Sequence, residues 1–243
     1  MDVNATAVVI GVGAQRGLGA RLCRRFAAAG LHVFVAGRSR GKLEAVAAEI
    51  AADGGLATPV VADTTDEAAL SALFDAAEDA GPVDLAIFNA GNNMPGEFLA
   101  MTAEHFERCW RVACFGGFLF CREALRRMEP RGAGTLLLTG ASASMRGKPG
   151  FAAFTAAKSG LRAMGQSLAR EFAPKGIHVA HVVIDGAIDG DRIRLAMPEL
   201  AAAFGADRLL DLDGIAAAYE FLYRQPRSAW TQELDLRAFK EPF

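Results

Sequence analysis

Hydrophobic residues occur along this chain in short continuous runs, separated by longer segments with helical periodicity. The runs are unbroken, unlike the alternation of apolar and polar positions expected of a strand with one face in water. Strands that are buried on both faces of a parallel sheet have this appearance. The predicted strands are at about Ala7–Gly11, His32–Ala36, Thr58–Val61, Leu85–Asn89, Thr135–Thr139, His178–Ile184 and Glu233–Leu236.

The segments between these runs are rich in alanine and are predicted to be helices. They lie at about Gly17–Ala29, Lys42–Ala52, Glu67–Ala80, Ala103–Met128, Phe151–Phe172 and Asp213–Tyr223. The repeated strand–helix–strand order predicts an α/β fold, a doubly wound parallel sheet of about seven strands with helices on both faces. The 243 residues fit a single domain spanning 1–243,. One extended segment, about 186–212, is predicted to be irregular.

A glycine-rich turn joins the first predicted strand to the first helix. Its sequence is Gly11-Val12-Gly13-Ala14-Gln15-Arg16-Gly17-Leu18-Gly19. Glycines let the chain turn tightly and approach a pyrophosphate, and the helix N-terminus offers free N–H groups and the positive end of a dipole. Because the turn lies between a buried strand and a helix at the start of an α/β chain, it predicts a Rossmann-type fold that binds a dinucleotide.

The end of the second predicted strand indicates which dinucleotide binds. NAD enzymes place an acidic residue there, roughly 20 residues after the glycines, to bind the ribose 2′-hydroxyl. Here Ala36 is followed by Gly37, Arg38 and Ser39, with no acid. Arg38 and Ser39, together with Arg16 of the glycine loop, are suited to a 2′-phosphate, which a guanidinium binds with two hydrogen bonds. We therefore predict NADP(H) in preference to NAD(H).

Charge and composition narrow the possible partners. The net charge of −2 argues against nucleic acid or an anionic membrane as a partner,. Neither a leader peptide nor an apolar run of about 20 residues is visible, which predicts a cytoplasmic protein that acts on a small molecule. The spacing of the cysteines does not fit a metal site, so free thiols and no metal are predicted for Cys23, Cys109, Cys114 and Cys121,.

At this point the chain resembles the short-chain dehydrogenase/reductase family. The family's G-x-x-x-G-x-G motif is met by Gly13, Gly17 and Gly19. Asp63 follows the third predicted strand, where the family uses an Asp to contact adenine. Asn89-Ala90-Gly91 matches the family's N-A-G motif at the end of the fourth strand. The resemblance implies that all these residues bind the cofactor.

The resemblance extends to the family's Y-x-x-x-K motif, whose Lys is matched by Lys158. In the family this Lys binds the nicotinamide ribose and lowers the pKa of the catalytic Tyr, so Lys158 is assigned to both the catalytic and the cofactor sites. The resemblance also implies cofactor contacts from Leu18 in the glycine loop and from Gly186 and Ile188 after the sixth strand.

Three departures from the family pattern fall on its catalytic positions. The Tyr of the motif corresponds to Phe154, and the Ser that lies thirteen residues earlier corresponds to Ala141. The family's Asn in the preceding long helix aligns with Ala113. A fourth departure replaces the family's Pro-Gly turn after the sixth strand by Asp185-Gly186.

The lost side chains carry the family's proton chemistry. In the family the Tyr hydroxyl is the general acid or base, and the Ser hydroxyl holds the substrate oxygen. Phe154 has no proton to give and Ala141 has no hydroxyl,. A positioned acid contributes about 10²–10⁴ in rate, and one oxyanion donor contributes on the order of 10²–10³. Ordinary ketone reduction or alcohol oxidation is therefore expected to be nearly abolished.

Several polar residues are candidates to replace the missing groups. Ser142 is the preferred catalytic candidate beside Lys158, although it lies one residue off register and a one-residue slip on a strand turns the side chain away unless a bulge corrects it,. Thr155 is less favoured, because it is turned by about 100° on its helix. Asp185 and Asp189 are either displaced acids or solvated loop carboxylates.

The segment 186–212 lies where the family keeps its substrate-covering segment. Its apolar residues at helical spacing, within 195–204, predict either a lid over an apolar substrate or a helix packed on the core or on another subunit,. The family packs its two long helices between subunits. These correspond to 103–128 and 151–172, which predicts a homodimer or homotetramer.

Two functions compete for this sequence. The first is an NADP(H)-dependent oxidoreductase with a non-standard active site, whose apolar floor of Ala113, Ala141 and Phe154 suits a small apolar substrate. An activated C=C, C=N or carbonyl group can take its proton from water. The second is a catalytically silent NADP-binding sensor or scaffold, which the loss of three catalytic groups motivates. A lyase or isomerase that borrows the fold is a minor third.

Overall fold

A parallel sheet forms the centre of the computed structural model, which describes residues 5–91 and 93–241. The strands are β1 Thr6–Ile10, β2 His32–Gly37, β3 Ala57–Val61, β4 Val83–Phe88, β5 Gly134–Thr139, β6 Ile177–Ile184, β7 Ala187–Ile188, β8 Leu209–Leu210 and β9 Glu233–Leu236. Seven of them form the central sheet in the order β3-β2-β1-β4-β5-β6-β9. A second, two-stranded sheet is formed by β7 and β8.

Helices cover both faces of the large sheet. They are α1 Leu18–Ala28, α2 Arg40–Ala52, α3 Glu67–Ala80, α4 Ala103–Trp110, α5 Gly116–Met128, α6 Ala152–Phe172, α7 Asp191–Ala196, α8 Pro198–Phe204 and α9 Leu212–Tyr223. None of the helices in the described residues is long and apolar enough to cross a membrane.

The apolar strands are buried because both faces of the sheet carry a core. Val9 on β1 lies opposite Val35 on β2 and Ile87 on β4, and all three side chains belong to the cluster on one face. Their neighbours Val8 and Phe34 belong to the cluster on the other face. Full burial of such side chains contributes roughly 1.5–3 kcal/mol each. The predicted fold class and the predicted strands are thus confirmed.

The order of the strands fixes where a ligand can bind. From β1 the chain crosses to β2 on one side, and it later returns to place β4 on the other side of β1. In an open parallel sheet, ligands bind at the carboxyl ends of the strands, in the crevice at such a switch point. The crevice between the ends of β1 and β4 is therefore the candidate site.

Two parts of the structure differ from the prediction. The predicted helix 103–128 is interrupted by a π-helical turn at Arg111–Phe115. The segment 186–212 is not irregular: it contains β7, α7, α8 and β8. It is ordered by its own small apolar cluster, formed by Ile193, Ala201 and Leu209. The helical spacing within 195–204 corresponds to α8, whereas the two-residue strands β7 and β8 are too short to show a pattern in the sequence.

Candidate cofactor and active site

The glycine loop is folded tightly between the ends of β2 and β4. Gly11 has a φ of +90°, and a Cβ there would lie 2.6 Å from the Ala90 nitrogen. A Cβ on Gly37 would lie 2.5 Å from the carbonyl oxygen of Val12. In contrast, a Cβ on Gly13 would meet nothing within 4 Å. The first two glycines are therefore needed for packing, whereas Gly13 leaves its backbone open to the crevice.

The first turn of α1 follows this loop directly. Gly17 precedes the helix without a side-chain cap, so the N-terminal dipole is not offset by a capping group. Asn89, at the end of β4, donates from Nδ2 to the Gly11 carbonyl at 3.2 Å. A Cβ on Gly19 would lie 3.0 Å from that same Nδ2 atom. Asn89 thus holds the loop in place, and the predicted glycine-loop residues are brought together at one edge.

The residues predicted to bind the adenosine end lie at the neighbouring strand ends. Arg38 and Ser39 are exposed after β2, and Arg16 is exposed on the glycine loop. Asp63, after β3, accepts hydrogen bonds from the Thr65 nitrogen at 2.8 Å and hydroxyl at 2.7 Å. Burial alone would raise the pKa of Asp63, but these hydrogen bonds and the charge of Arg38 hold it below its ordinary value. Asp63 is thus an ionised acceptor.

Lys158 reaches from α6 to the ends of β4 and β5. Its side chain is buried, and Nζ donates to the carbonyl oxygens of Thr139 at 2.8 Å and Ala90 at 3.2 Å. Burial lowers the pKa of this amine to about 8. A Cβ on Gly91 would lie 3.3 Å from Nζ, so the N-A-G segment and Lys158 share one wall of the crevice.

Of the three residues that replace the family's catalytic groups, Phe154 lies on the crevice wall beside Gly91 and Lys158. Phe154 lies one turn before Lys158 on α6, and its Cε2 is 3.9 Å from the position of a Cβ on Gly91. Ala113 is fully buried in the π-helical turn. Ala141 precedes a 3-10 turn at Ser142–Ser144. None of the three offers a proton or a hydrogen bond from its side chain.

Ser142 lies on the 3-10 turn, not on a strand, so the register argument made from the sequence does not apply to it. Its hydroxyl hydrogen-bonds to the carboxylate of Asp185, immediately after β6. The same carboxylate accepts two hydrogen bonds from Arg146, at 2.8 and 2.9 Å, and an ion pair from Arg237. The Ser142 hydroxyl therefore has a structural partner, which argues against a role in holding substrate.

The two aspartates considered as displaced acids are both ion-paired. Burial alone would raise the pKa of Asp185, but the hydrogen bonds and charges of its partners hold it below its ordinary value. A hydrogen bond from Arg194 holds the pKa of Asp189 low as well, and Nη2 of that residue lies 2.8 Å from Asp189 Oδ2. Carboxylates that stay ionised cannot donate a proton near neutral pH, so neither replaces the missing acid.

Thr155 lies on α6, and Gly186 and Ile188 lie in the chain that follows β6. The Thr155 hydroxyl is buried and finds no hydrogen-bond partner among the described residues. Gly186 has a φ of +151°, and Ile188 on β7 pairs with Leu210 on β8. Of these two predicted cofactor contacts, Ile188 lies on the small sheet and Gly186 immediately precedes it. Sequence reasoning missed Arg146, which no pattern along the chain linked to Asp185.

Comparison with known proteins is consistent with this geometry. The sequence profile of the family described as short chain dehydrogenase matches residues 6–192. A cyclic-di-GMP-binding biofilm dispersal mediator protein of Escherichia coli is 33% identical over 184 residues, which cover 75% of this chain and 73% of that protein.

Solved structures resemble the whole chain. A short-chain dehydrogenase from Rhodopseudomonas palustris shares 41% identity with a TM-score of 0.83, covering 97% of this chain and 99% of the other. A 3-oxoacyl (acyl-carrier-protein) reductase from Agrobacterium tumefaciens, with NADP bound, shares 27% identity with a TM-score of 0.86. That match covers 96% of this chain and 93% of the reductase.

Proposed function

The chain belongs to the short-chain dehydrogenase/reductase family, a family of oxidoreductases, and from that premise we propose that it is an NADP(H)-dependent oxidoreductase with a non-standard active site. One observation carries the proposal. A complete glycine loop and a buried Lys158 share a crevice with Phe154, where the proton donor of the family would be. Cofactor binding is retained, while the usual acid is absent.

The residues of the crevice fit a dinucleotide. Gly13 leaves open space over its backbone, and α1 presents an uncapped N-terminus. These features suit the pyrophosphate, while Asp63 suits the adenosine end and Lys158 the second ribose. A bound reduced nicotinamide supplies a hydride. The chain's own contribution is to bind the cofactor and to orient that ring toward the substrate.

The preference for NADP(H) is supported by Arg16 and Arg38, both exposed at the strand ends, and the charge of Arg38 acts on Asp63. The Agrobacterium reductase with NADP bound supports the same cofactor class. We expect NADPH to bind at least tenfold more tightly than NADH, because a charge-assisted hydrogen bond contributes about 1.5–3 kcal/mol.

Substitution of Arg38 tests this preference. Arg38→Ala should weaken NADPH binding by about tenfold or more and leave NADH binding nearly unchanged. Arg40→Ala is the matched control, since its guanidinium lies 3.7 Å from Glu44 on the exposed face of α2. Titration of cofactor fluorescence measures both affinities. Equal affinities of the wild type for NADPH and NADH would contradict the assignment.

For the substrate we propose a small apolar molecule with an activated C=C, C=N or carbonyl group. The Phe154 ring on the crevice wall supports this class, and so do the exposed Leu195 and Met197 of the covering segment. Such substrates accept hydride without a side-chain acid and take their proton from water. The proposal needs no residue in the role of the missing Tyr.

A panel of ketones, enones, imines and quinones tests the proposed reaction. NADPH consumption by the wild type is compared with that of the variant Ala113→Asn/Ala141→Ser/Phe154→Tyr. We expect the wild type to turn over the activated substrates, and the restored variant to gain about 10²–10⁴ in ketone reduction. Turnover by the restored variant alone would contradict an oxidoreductase function for the natural chain.

That last outcome would favour the second candidate, a catalytically silent NADP-binding sensor or scaffold. The loss of all three hydroxyl or amide groups favours it, as does the Escherichia coli relative, whose name describes ligand binding and not a reaction. A partner that is captured with NADPH and released without it would support this candidate. Capture that is indifferent to the cofactor would count against it.

A further inference from the structure

The chain after β7 lies directly on the glycine loop. Asp191 accepts a hydrogen bond from the Arg16 backbone nitrogen at its Oδ2 atom, at 3.2 Å, and its own nitrogen donates to the Arg16 carbonyl at 2.8 Å. Gly190 is pressed against the same peptide, since a Cβ there would lie 2.5 Å from the Arg16 oxygen. The loop and this segment are therefore joined by two hydrogen bonds and a close backbone contact.

The next residue is attached to the opposite side of the crevice. The Arg192 guanidinium donates to the Asn93 carbonyl oxygen at 2.8 Å. Asn93 follows β4, whereas Arg16 follows β1. Because the crevice lies between the ends of these two strands, residues 190–192 cross it from wall to wall. We call this segment the strap.

We propose that the strap closes the cofactor crevice of the free protein, and that the Asp191 carboxylate holds the glycine-loop N–H until a dinucleotide phosphate displaces it. This inference rests on the proposed function, because it assumes that the glycine loop takes a dinucleotide. Carboxylate and phosphate are both anionic acceptors, and one backbone N–H donates fully to only one of them. A carboxylate fixed on the loop also repels an incoming phosphate.

The strap has a consequence for affinity. If only the open form takes the cofactor, the apparent dissociation constant equals the intrinsic one divided by the fraction of molecules that are open. The Asp191 carboxylate accepts a charge-assisted hydrogen bond from the Arg16 nitrogen,. Loss of this bond should raise the open population about tenfold. Association with the cofactor should accelerate by a similar factor, because more molecules are open when the cofactor arrives.

Two substitutions open the strap by different means. Asp191→Ala removes the carboxylate. Gly190→Ala leaves Asp191 intact but places a methyl group against the Arg16 oxygen. The backbone at Gly190 is extended, with φ −136° and ψ 177°, so alanine is acceptable there in every other respect,. Glu199→Ala on α8 is the matched control, an exposed acid of the same segment.

Hydrogen exchange in the protein without cofactor is the first measurement. The Arg16 amide should exchange about tenfold faster in Asp191→Ala and Gly190→Ala than in the wild type, and Glu199→Ala should match the wild type. Asp191→Asn, which keeps the shape of the side chain, replaces Asp191→Ala if that variant folds poorly. Unchanged exchange at Arg16 in both variants would contradict the proposed closure by the strap, whether or not the protein binds NADPH.

Stopped-flow binding of NADPH is the second measurement. Both opened variants should associate about tenfold faster than the wild type and Glu199→Ala. Equal association rates would overturn the strap. If the opened variants show faster exchange at Arg16 but neither they nor the wild type binds NADPH or NADH, the strap stands as a closed contact and the proposed function fails. The two failures are therefore distinguishable.

Discussion

The site contains two buried charged side chains, of which one is ion-paired and the other is bound only to carbonyl oxygens. Asp185 is neutralised by Arg146 and Arg237. Lys158 forms no ion pair with any described residue and rests on two carbonyl oxygens. Desolvation of an unpaired cation is costly, which is why the pKa of Lys158 falls to about 8. In the protein without cofactor, burial destabilises the charged form of this amine, and a hydrogen bond to a ribose hydroxyl would offset part of that cost.

This strain predicts a pH-dependent stability. The pKa of Lys158 is about 8 in the folded protein, against an ordinary value of 10.5. The free-energy cost of burying the charged Lys158 is therefore fully present below pH 8 and disappears as the pH rises through 10.5. The stability of the wild type relative to Lys158→Met should grow by about 2 kcal/mol between pH 7 and pH 10. Urea unfolding measures it, and Lys42→Met, at an exposed site on α2, is the control. A constant difference would contradict the burial argument.

For the Asp185 cluster, we expect substitutions to lower the stability of the protein more than its rate of turnover. Asp185→Ala removes the buried carboxylate that Arg146 and Arg237 share and should destabilise the protein by about 3 kcal/mol or more,. Ser142→Ala removes one hydrogen bond to that carboxylate and should cost about 1 kcal/mol. Turnover by Ser142→Ala should stay within about threefold of the wild type. A hundredfold loss would instead give Ser142 the catalytic role first predicted for it.

Among the elements, the strands and the glycine loop were accessible from sequence because each is specified locally. A continuous apolar run such as that of β6 has few alternatives when helical segments flank it,. The contacts between distant segments were not accessible. The pairing of Asp185 with Arg146 joins residues that are 39 apart, and that of Arg16 with Asp191 joins residues that are 175 apart. The π-helical turn at Arg111–Phe115 also escaped, because its sequence is as helical as its flanks.

Gly13 in the glycine loop and Gly37 at the end of β2 have different roles, which the sequence alone does not distinguish. Gly37→Ala should destabilise the protein by about 1–3 kcal/mol, because the methyl group would meet the Val12 carbonyl at 2.5 Å,. Gly13→Ala should unfold like the wild type, since nothing lies within 4 Å, yet bind NADPH at least tenfold more weakly,. Thermal unfolding and fluorescence titration provide the comparison. Equal cofactor binding by Gly13→Ala and the wild type would remove the loop from the cofactor site.

At the scale of the whole molecule, aromatic side chains are exposed on the surface formed by α4, the π-helical turn and α5. Trp110, Phe115 and Phe118 form a row in which successive ring centroids are 6.2 Å apart. Trp110 remains 39% exposed and Phe118 43% exposed. Arg111 and Arg122 lie over rings of the row. Adjacent exposed aromatic side chains of this kind are typical of subunit interfaces, which supports the homodimer or homotetramer predicted from sequence.

A charge placed in this row tests the assembly. Phe118→Glu should reduce the assembly to monomers in solution scattering, because burying a carboxylate at an interface costs desolvation energy that burying an apolar ring does not. Leu56→Glu is the control, since Leu56 is 52% exposed just before β3, away from the aromatic row. A wild type that is already monomeric would refute the predicted oligomer.

The same variant also tests whether assembly supports the site. The row adjoins the π-helical turn that carries Ala113, and α6, which carries Phe154 and Lys158, packs against that turn. Loss of the partner subunit would therefore loosen the layer behind the apolar floor. NADPH should bind monomeric Phe118→Glu more weakly, by about threefold to tenfold, since a competent site would be populated only part of the time. Unchanged affinity in the monomer would mean that each subunit holds its crevice rigid by itself.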